Sequence, residues 1–163
     1  MPTCSILKFG LPLAVLLCLT ASFGQQAPLS YGDPVTIENA RKAADAAREQ
    51  AEKNHLQMAI AIVDPGGELV YFEKMNGTQT ASVAIAIAKA RTAALFRRPT
   101  KVFEDAVAAG GDGLRFLGMP GVTPVNGGYP LIVAGKVVGA IGASGGTSAQ
   151  DGECSLAGSS AFK

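Results

Sequence analysis

The stretch from residue 58 to residue 75 constrains the fold more than any other part of the sequence. Residues 58–64, MAIAIVD, form a short apolar run with the length and composition of a buried strand. The segment PGG at 65–67 favours a turn, because proline fixes φ and glycine accepts positive φ. Residues 68–75, ELVYFEKM, have the pattern of a returning strand. The chain is therefore predicted to contain an antiparallel β-hairpin near its centre.

The other predicted elements are helices and a second hairpin. They are a helix over 36–54 beginning at Thr36, a helix over 80–96 with Thr80 or Ser82 as its N-cap, a shorter helix after 100 with Thr100 as its N-cap, a loop over 112–128, strands at 129–133 and 137–143, and a helix from Ser148. Antiparallel strand pairs separated by helices predict an α+β fold, in which helices flank a central antiparallel sheet.

The first 24 residues have the pattern of a secretory signal peptide. Lys8 supplies the positive start, residues 11–19 are apolar apart from Pro12, and small residues precede residue 25. The apolar run is shorter than the ~20 residues that span a bilayer. The large side chain before Cys18 disfavours a lipoprotein signal. We therefore predict a cleaved signal peptide at 1–24 and a secreted or periplasmic protein without a stable membrane anchor.

The mature chain that would result has balanced charge and one cysteine. A flexible lead-in is expected at 25–35 and a single domain at 36–163. The full sequence carries 14 basic and 13 acidic side chains, so loss of Lys8 leaves 13 of each. This balance argues against general nucleic-acid binding, which requires cations that neutralise phosphates. Cys154 alone cannot form an intrachain disulfide, so stability is expected from the core or from oligomerisation.

Residues 142–146, GASGG, match the G-x-S-x-G pattern of a nucleophilic serine. A nucleophilic Ser144 needs a base, yet the one histidine of the sequence, His55, precedes it, whereas in α/β-hydrolases the histidine follows the serine. We therefore interpret Gly139 and Gly142 as packing glycines in a buried strand. Ser144 to Gly146 are expected to form a small rim of hydrogen-bond donors beside a pocket or subunit interface.

Five cations lie within 13 residues of the sequence: Lys89, Arg91, Arg97, Arg98 and Lys101. Cations are favourable near a helix C-terminus, which explains most of them. The alternative is a site for carboxylates, haem propionates included, because arginine can form two parallel bonds to a carboxylate. No paired-histidine, CxxC or clustered-carboxylate pattern of a metal site is visible in the sequence.

Three stretches resemble one known family. They are AIAIVDPGGELVYFEKMNG, SVAIAIAKARTAALFRRPT and NGGYPLIVAGKVVGAIGASGGTSAQDGECSLAG, and together they cover most of residues 36–157. Their motifs, VD-x-GG, KA-x-TA-x-x-F-x-x-PT and GAIG-x-SGG-x-x-x-QD, are similar to those of the haem-degrading or haem-binding domains of the GlcG/HbpS-like family. The resemblance implies a profilin-like fold, homo-oligomeric assembly, and haem or a related tetrapyrrole as the cofactor.

The resemblance, together with the cation cluster, selects a set of candidate cofactor-binding residues. They are Lys89, Thr92, Phe96, Arg97, Arg98, Thr100, Asn126, Ser144 and Gly145. The family motifs also contain Gly127, Gly128, Gly146, Gln150 and Asp151. The chain departs from the family pattern at Asn76, where aspartate is common, and at Gly152, where glutamate or histidine often follows Gln-Asp. The iron ligand stays open between Thr92, His55, Met75 and water.

Two functional hypotheses follow. The first is an exported haem-binding protein with slow haem degradation. The second is a binding or sensory module for a small organic acid, which would use the same cations without haem. A purely structural role is the third alternative. The sequence contains no complete catalytic constellation, so whether the protein is an enzyme stays open.

Overall fold

The computed structural model describes Met1 and residues 28–161, and within that part of the chain five strands form one sheet with helices on both faces. The strands are β1 (Ser30–Tyr31), β2 (Ala59–Val63), β3 (Leu69–Lys74), β4 (Gly128–Val133) and β5 (Lys136–Ser144). The helices are α1 (Ile37–Lys53), α2 (Ser82–Phe96), α3 (Lys101–Ala108) and α4 (Ser148–Ala161), with a 3₁₀ segment at Gly111–Leu117. The predicted α+β fold is confirmed. The predicted signal peptide lies outside the described residues.

Strand β5 is the centre of the sheet. It pairs antiparallel with β4 along one edge and with β2 along the other, and β3 pairs antiparallel with β2 as the predicted hairpin. Strand β1 pairs with β5 in parallel, with Ser30 opposite Lys136 and Tyr31 opposite Val137. The sheet is therefore mixed, whereas the sequence predicted a purely antiparallel one. Part of the lead-in predicted to be flexible is hydrogen-bonded to the sheet instead.

The two faces of the sheet bury different side chains of β2. Ile60 and Ile62 pack with the alanine face of α1 and with Cys154 of α4. Ala59, Ala61 and Val63 pack with the alanines of α2 on the other face. This alternation follows from the period-two geometry of a strand, and burial on both faces explains the continuous apolar run in the sequence.

Glycine allows α2 to approach the sheet closely. A Cβ on Gly142 would lie 2.2 Å from the carbonyl oxygen of Ala86 and 2.6 Å from the amide nitrogen of Ala90. At Gly139 the close neighbour is strand β2 instead, since a Cβ there would lie 2.4 Å from the carbonyl oxygen of Val63. The prediction that Gly139 and Gly142 are packing glycines is therefore confirmed.

The predicted helix caps have mixed outcomes. The Thr36 side chain accepts a hydrogen bond from the amide of Asn39 and caps α1 as predicted. Helix α2 begins after Ala81, without a capping bond from Thr80 or Ser82. Thr100 precedes α3, but its side chain does not cap that helix because it bonds to β4 instead. Within residues 28–161, no helix is both long and apolar enough to cross a membrane.

Candidate functional site

Five of the nine candidate cofactor-binding residues fall into two regions of the molecule. Lys89, Ser144 and Gly145 belong to what we call the buried polar network, completed by Ser82, Gly146 and Asp151. Arg97 and Arg98 line a surface cleft, which we call the arginine cleft. The remaining four, Thr92, Phe96, Thr100 and Asn126, hold loops or pack beside these regions.

An ion pair between Lys89 and Asp151 forms the centre of the buried polar network. Lys89 Nζ lies 2.6 Å from Asp151 Oδ2, and the side chains are only 1% and 5% exposed. The same ammonium donates to the carbonyl oxygen of Ala143 at 3.2 Å. The pair therefore joins α2, the end of β5 and the first turn of α4. Neither charge is available to a ligand in this arrangement.

Asp151 also uses the donors that the sequence predicted at a pocket rim. Its Oδ1 accepts hydrogen bonds from the amides of Gly145 at 3.0 Å and Gly146 at 2.9 Å. The buried Ser144 hydroxyl lies 3.1 Å from that of Ser82. A Cβ on Gly145 would lie 2.1 Å from the carbonyl oxygen of Gln57, so backbone fills the space beside it. These donors are bonded within the chain, which leaves no rim of free donors facing a pocket, while the alternative of a subunit interface stays a prediction.

Two candidate threonines hold loops against α2 and β4. Thr92 Oγ1 accepts from the amide of Thr123 at 2.9 Å, and it lies 3.0 Å from the carbonyl oxygen of Gly121, to which it can donate. Thr100 Oγ1 accepts from the amide of Gly128 at 2.9 Å. Both threonines are fully buried. Thr92 therefore does not present its oxygen to any cavity.

Asn126 and Phe96 position the segment that contains α3. The backbone N–H of Asn126 donates to Glu104 Oε2 at 2.8 Å. The same carboxylate oxygen accepts from the Ser148 hydroxyl. Phe96 packs edge-on against Phe103 of α3, with ring centroids 5.2 Å apart. These contacts fix α3, which forms part of the wall of the arginine cleft.

The arginine cleft has a volume of about 910 Å³ and lies near the C-terminal ends of α2 and α4. Most of its walls are apolar, with cations and hydroxyl groups at a few positions. It is lined by Pro28, Leu29, Arg97, Arg98, Pro99, Val102, Tyr129, Pro130, Ile132 and Ser159. An apolar cavity of this size with a few polar groups is typical of a small-molecule or cofactor site.

Arg97 ends α2 in the left-handed conformation, with φ of 54°. Its Nη1 donates to the carbonyl oxygen of Leu29 at 2.7 Å, and its guanidinium carbon lies 5.0 Å from the ring centroid of Tyr31. Its Nε is buried and has no hydrogen-bond partner among the described residues. Arg97 therefore ties the N-terminal part of the domain to α2 and retains an unused donor.

Arg98 is exposed at the cleft, and its Nε donates to the carbonyl oxygen of Phe96 at 3.1 Å. Three other cations of the sequence cluster, Lys89, Arg91 and Lys101, do not line the arginine cleft. Arg91 Nε donates to the carbonyl oxygen of Gly67 at 2.8 Å, and Lys101 pairs with Asp105 on α3. The fold thus divides the sequence cluster and leaves Arg97 and Arg98 at the cleft.

Tyr129 lines the cleft but was missed in the sequence analysis. Its phenol is half-buried, and burial raises its pKa, while the charge of Lys101 and the amide of Asn126 act in the opposite direction. The signal available in the sequence was the following Pro130, because proline within a strand indicates a sheet edge and a neighbouring side chain near the surface.

The other side chains able to bind iron lie elsewhere. His55 is exposed just after α1, and Met75 is packed against the core with its sulfur 3.3 Å from the amide of Met58. Cys154 is buried in the core, and burial raises its pKa to about 11. Across residues 28–161, no group of three His, Cys, Asp or Glu residues could hold a metal ion.

Comparison with known proteins gives consistent results. A family model described as haem degrading protein HbpS-like matches residues 35–160. Protein GlcG of Escherichia coli strain K12 is 39% identical over 99 residues, which cover 61% of this chain and 72% of that protein.

Two solved structures share the fold over most of both chains. The crystal structure of HbpS superposes with a TM-score of 0.74 at 29% identity, over 83% of this chain and 94% of that one. The crystal structure of a PduOC:heme complex superposes with a TM-score of 0.71 at 26% identity, over 80% and 96%. Because the family model spans most of the sequence and the fold agrees, the chain belongs to the HbpS-like family of haem-degrading proteins.

Proposed function

We propose that this protein is an exported haem-binding protein that binds haem in the arginine cleft and degrades it slowly. Membership of the HbpS-like family supports a haem-related function, and one structural neighbour was solved with haem bound. The observation that carries the proposal is a largely apolar cleft of about 910 Å³ with two arginines at its wall.

The residues of the cleft fit the chemistry of haem. Haem combines a flat apolar macrocycle with two carboxylates, so its site requires apolar walls and cations that reach the carboxylates. Leu29, Val102 and Ile132 supply apolar wall. Arg98 supplies an exposed guanidinium, and Arg97 adds a second, partly buried positive charge at the wall. Charge-assisted bonds from arginine to carboxylate are stronger than neutral hydrogen bonds.

Bound haem iron supplies oxidative chemistry that, with a reductant and oxygen, can act on the macrocycle itself. The chain's contribution would be to hold the macrocycle, with Val102 of α3 and Ile132 of the edge strand β4 as apolar wall. Contacts from Phe96 and Glu104 fix α3 in that position. Homo-oligomeric assembly is also part of the proposal.

The direct test is a titration of the mature protein with hemin, followed by the shift of the Soret band. We expect saturable binding that weakens in Arg98→Ala. The matched control is Arg115→Ala, because Arg115 is an exposed arginine on the 3₁₀ segment outside the cleft. Equal weakening in both variants would show only a general charge effect. No spectral change with the wild-type protein at micromolar concentration would refute haem binding.

Addition of a reductant to the hemin complex tests degradation. We expect a slow loss of the Soret band together with iron release, both faster than in a control with free hemin. If the two rates equal those of free hemin, the protein binds haem without degrading it. If carboxylates raise the melting temperature and hemin has no effect, the cleft binds a small organic acid instead.

Export is tested by N-terminal sequencing of the protein recovered from outside the cytoplasm. We expect the mature chain to begin close to Gln25. A chain recovered there with its first residues intact would contradict signal cleavage.

A further inference from the structure

The iron ligand is the part of the haem site that the sequence left open. Among the families of haem proteins, the protein ligands to iron are histidine, cysteine, methionine and tyrosine. The position of each such side chain relative to the arginine cleft therefore limits the choice.

The described residues leave one such side chain at the cleft. Tyr129 lines it, whereas Cys154 is buried in the core and His55 follows the C-terminal end of α1. The Met75 sulfur is occupied at the Met58 amide, and the Thr92 oxygen is buried with backbone partners. The second hydroxyl of the cleft, on Ser159, donates to the carbonyl oxygen of Pro130 at 2.7 Å.

We infer that Tyr129 binds the haem iron through its phenolate oxygen, while Arg97 and Arg98 bind the propionates. This inference rests on the proposed haem-binding function of the same cleft. On binding, the phenol O–H bond breaks, its proton passes to solvent, and the oxygen takes a coordination position that a water or hydroxide held on free hemin. No change in the oxidation state of the ferric iron is involved.

Coordination through a phenolate makes this binding sensitive to pH, because it releases the phenol proton. The ionisable side chains around the phenol are Lys101 and Glu104 on α3, with Arg97 and Arg98 also at the cleft and the Asn126 amide beside it. Burial, the largest effect, and Glu104 raise the pKa of the phenol, while Lys101 and Asn126 lower it. Because binding releases the phenol proton, the apparent affinity for ferric hemin should rise with pH.

The test compares Tyr129→Phe with Tyr71→Phe, each titrated with ferric hemin from pH 6 to pH 9, about the range below the ordinary tyrosine pKa. Tyr71 is a matched control, because its hydroxyl bonds to Glu73 on β3 and it does not line the cleft. Optical absorption and EPR spectra of each saturated complex are recorded. Tyr129→Phe keeps the ring, so the packing of β4 should be preserved, and circular dichroism checks the fold.

We expect the wild type and Tyr71→Phe to show a phenolate-to-iron charge-transfer band and a high-spin ferric EPR signal. Tyr129→Phe should lose the band and the increase of affinity with pH. It should also bind hemin at least about tenfold more weakly, because loss of a residue that only supports a metal ligand already lowers metal affinity by about tenfold or more. A Tyr129→Phe complex with unchanged spectrum and pH dependence would overturn the inference and leave haem binding intact. Absence of binding by the wild type would overturn both.

Discussion

Helix α2 contributes Lys89 to the buried polar network, and its C-terminal end leads into the arginine cleft at Arg97. The two regions differ in whether their polar groups are free to bind a ligand. In the network, every polar group named above has a partner within the chain, and Lys89 and Asp151 are almost fully buried. In the cleft, the Arg98 guanidinium is exposed and can be reached from solvent. Polar groups with all their bonds satisfied stabilise and specify a fold, whereas groups with spare bonding capacity can bind a ligand.

The family motifs supply most of the buried polar network. Lys89, Ser144, Gly145 and Asp151 come from the most distinctive motifs of the sequence, and all four are used to join α2, β5 and α4. A motif can therefore be specific for a family because it holds the family's fold. The residues that we propose to contact the ligand, such as Tyr129, lie outside those motifs.

Substitution of the buried ion pair should have the largest effect on stability. Asp151→Ala leaves the Lys89 ammonium buried without a counter-charge, and breaking such a pair costs about 3–5 kcal/mol. It also removes the acceptor of the Gly145 and Gly146 amides. Urea denaturation should show this loss in the free energy of unfolding, while any folded fraction should bind hemin with unchanged affinity.

A double variant distinguishes lost charge from lost hydrogen bonds. Lys89→Met with Asp151→Asn removes both charges and keeps an oxygen for the two glycine amides, so it should recover more than half of the loss. If Asp151→Ala cost less than about 1 kcal/mol, or if it abolished hemin binding by the folded protein, the distinction between the two regions would fail.

The next largest effect is expected from a methyl group between α2 and the sheet. Gly142→Ala places a Cβ against backbone atoms of Ala86 and Ala90, and overpacking of this kind costs about 1–3 kcal/mol. Gly118→Ala is the control, because it has negative φ and no heavy atom within 4 Å of the new Cβ. The midpoint of thermal unfolding should fall for Gly142→Ala and stay unchanged for Gly118→Ala; similar midpoints would mean that α2 can shift freely.

Removal of a buried hydroxyl should have an intermediate effect. Thr100→Val leaves the amide of Gly128 without its side-chain acceptor, which costs about 1–3 kcal/mol for a buried donor. Thr80→Val changes an exposed threonine that makes no capping bond, so it should stay within about 0.5 kcal/mol of the wild type. Guanidinium denaturation of the pair tests this, and a larger loss for Thr80→Val would restore Thr80 as the cap of α2.

The smallest effect on stability is expected at the cleft. Arg98→Ala removes an exposed side chain and should change the free energy of unfolding by less than about 0.5 kcal/mol. Its affinity for hemin should fall about two- to fivefold, because an exposed ion pair contributes at most about 1 kcal/mol in water. A loss of stability without a loss of affinity, measured by denaturation and by hemin titration, would reverse the roles assigned to the two regions.

The predicted hairpin, the helix after Thr36 and the packing role of Gly142 followed from local sequence, and the structure contains all three. Strand β1 was missed because two residues carry no periodic pattern, and its partner β5 lies more than 100 positions away. The open rim expected at Ser144–Gly146 failed for a related reason. The acceptor that uses those amides, Asp151, is set in place only when α4 folds back onto β5.

By itself, the sequence determined the α+β class, the order of the elements and the family, because each depends on residues close together along the chain. Only the tertiary structure decided which cations share a site: it buried Lys89, paired Arg91 and Lys101 elsewhere, and left Arg97 and Arg98 beside Tyr129. The physical reason is that packing decides whether a polar side chain is buried with hydrogen-bond partners or left exposed to a ligand. Those partners are distant in sequence.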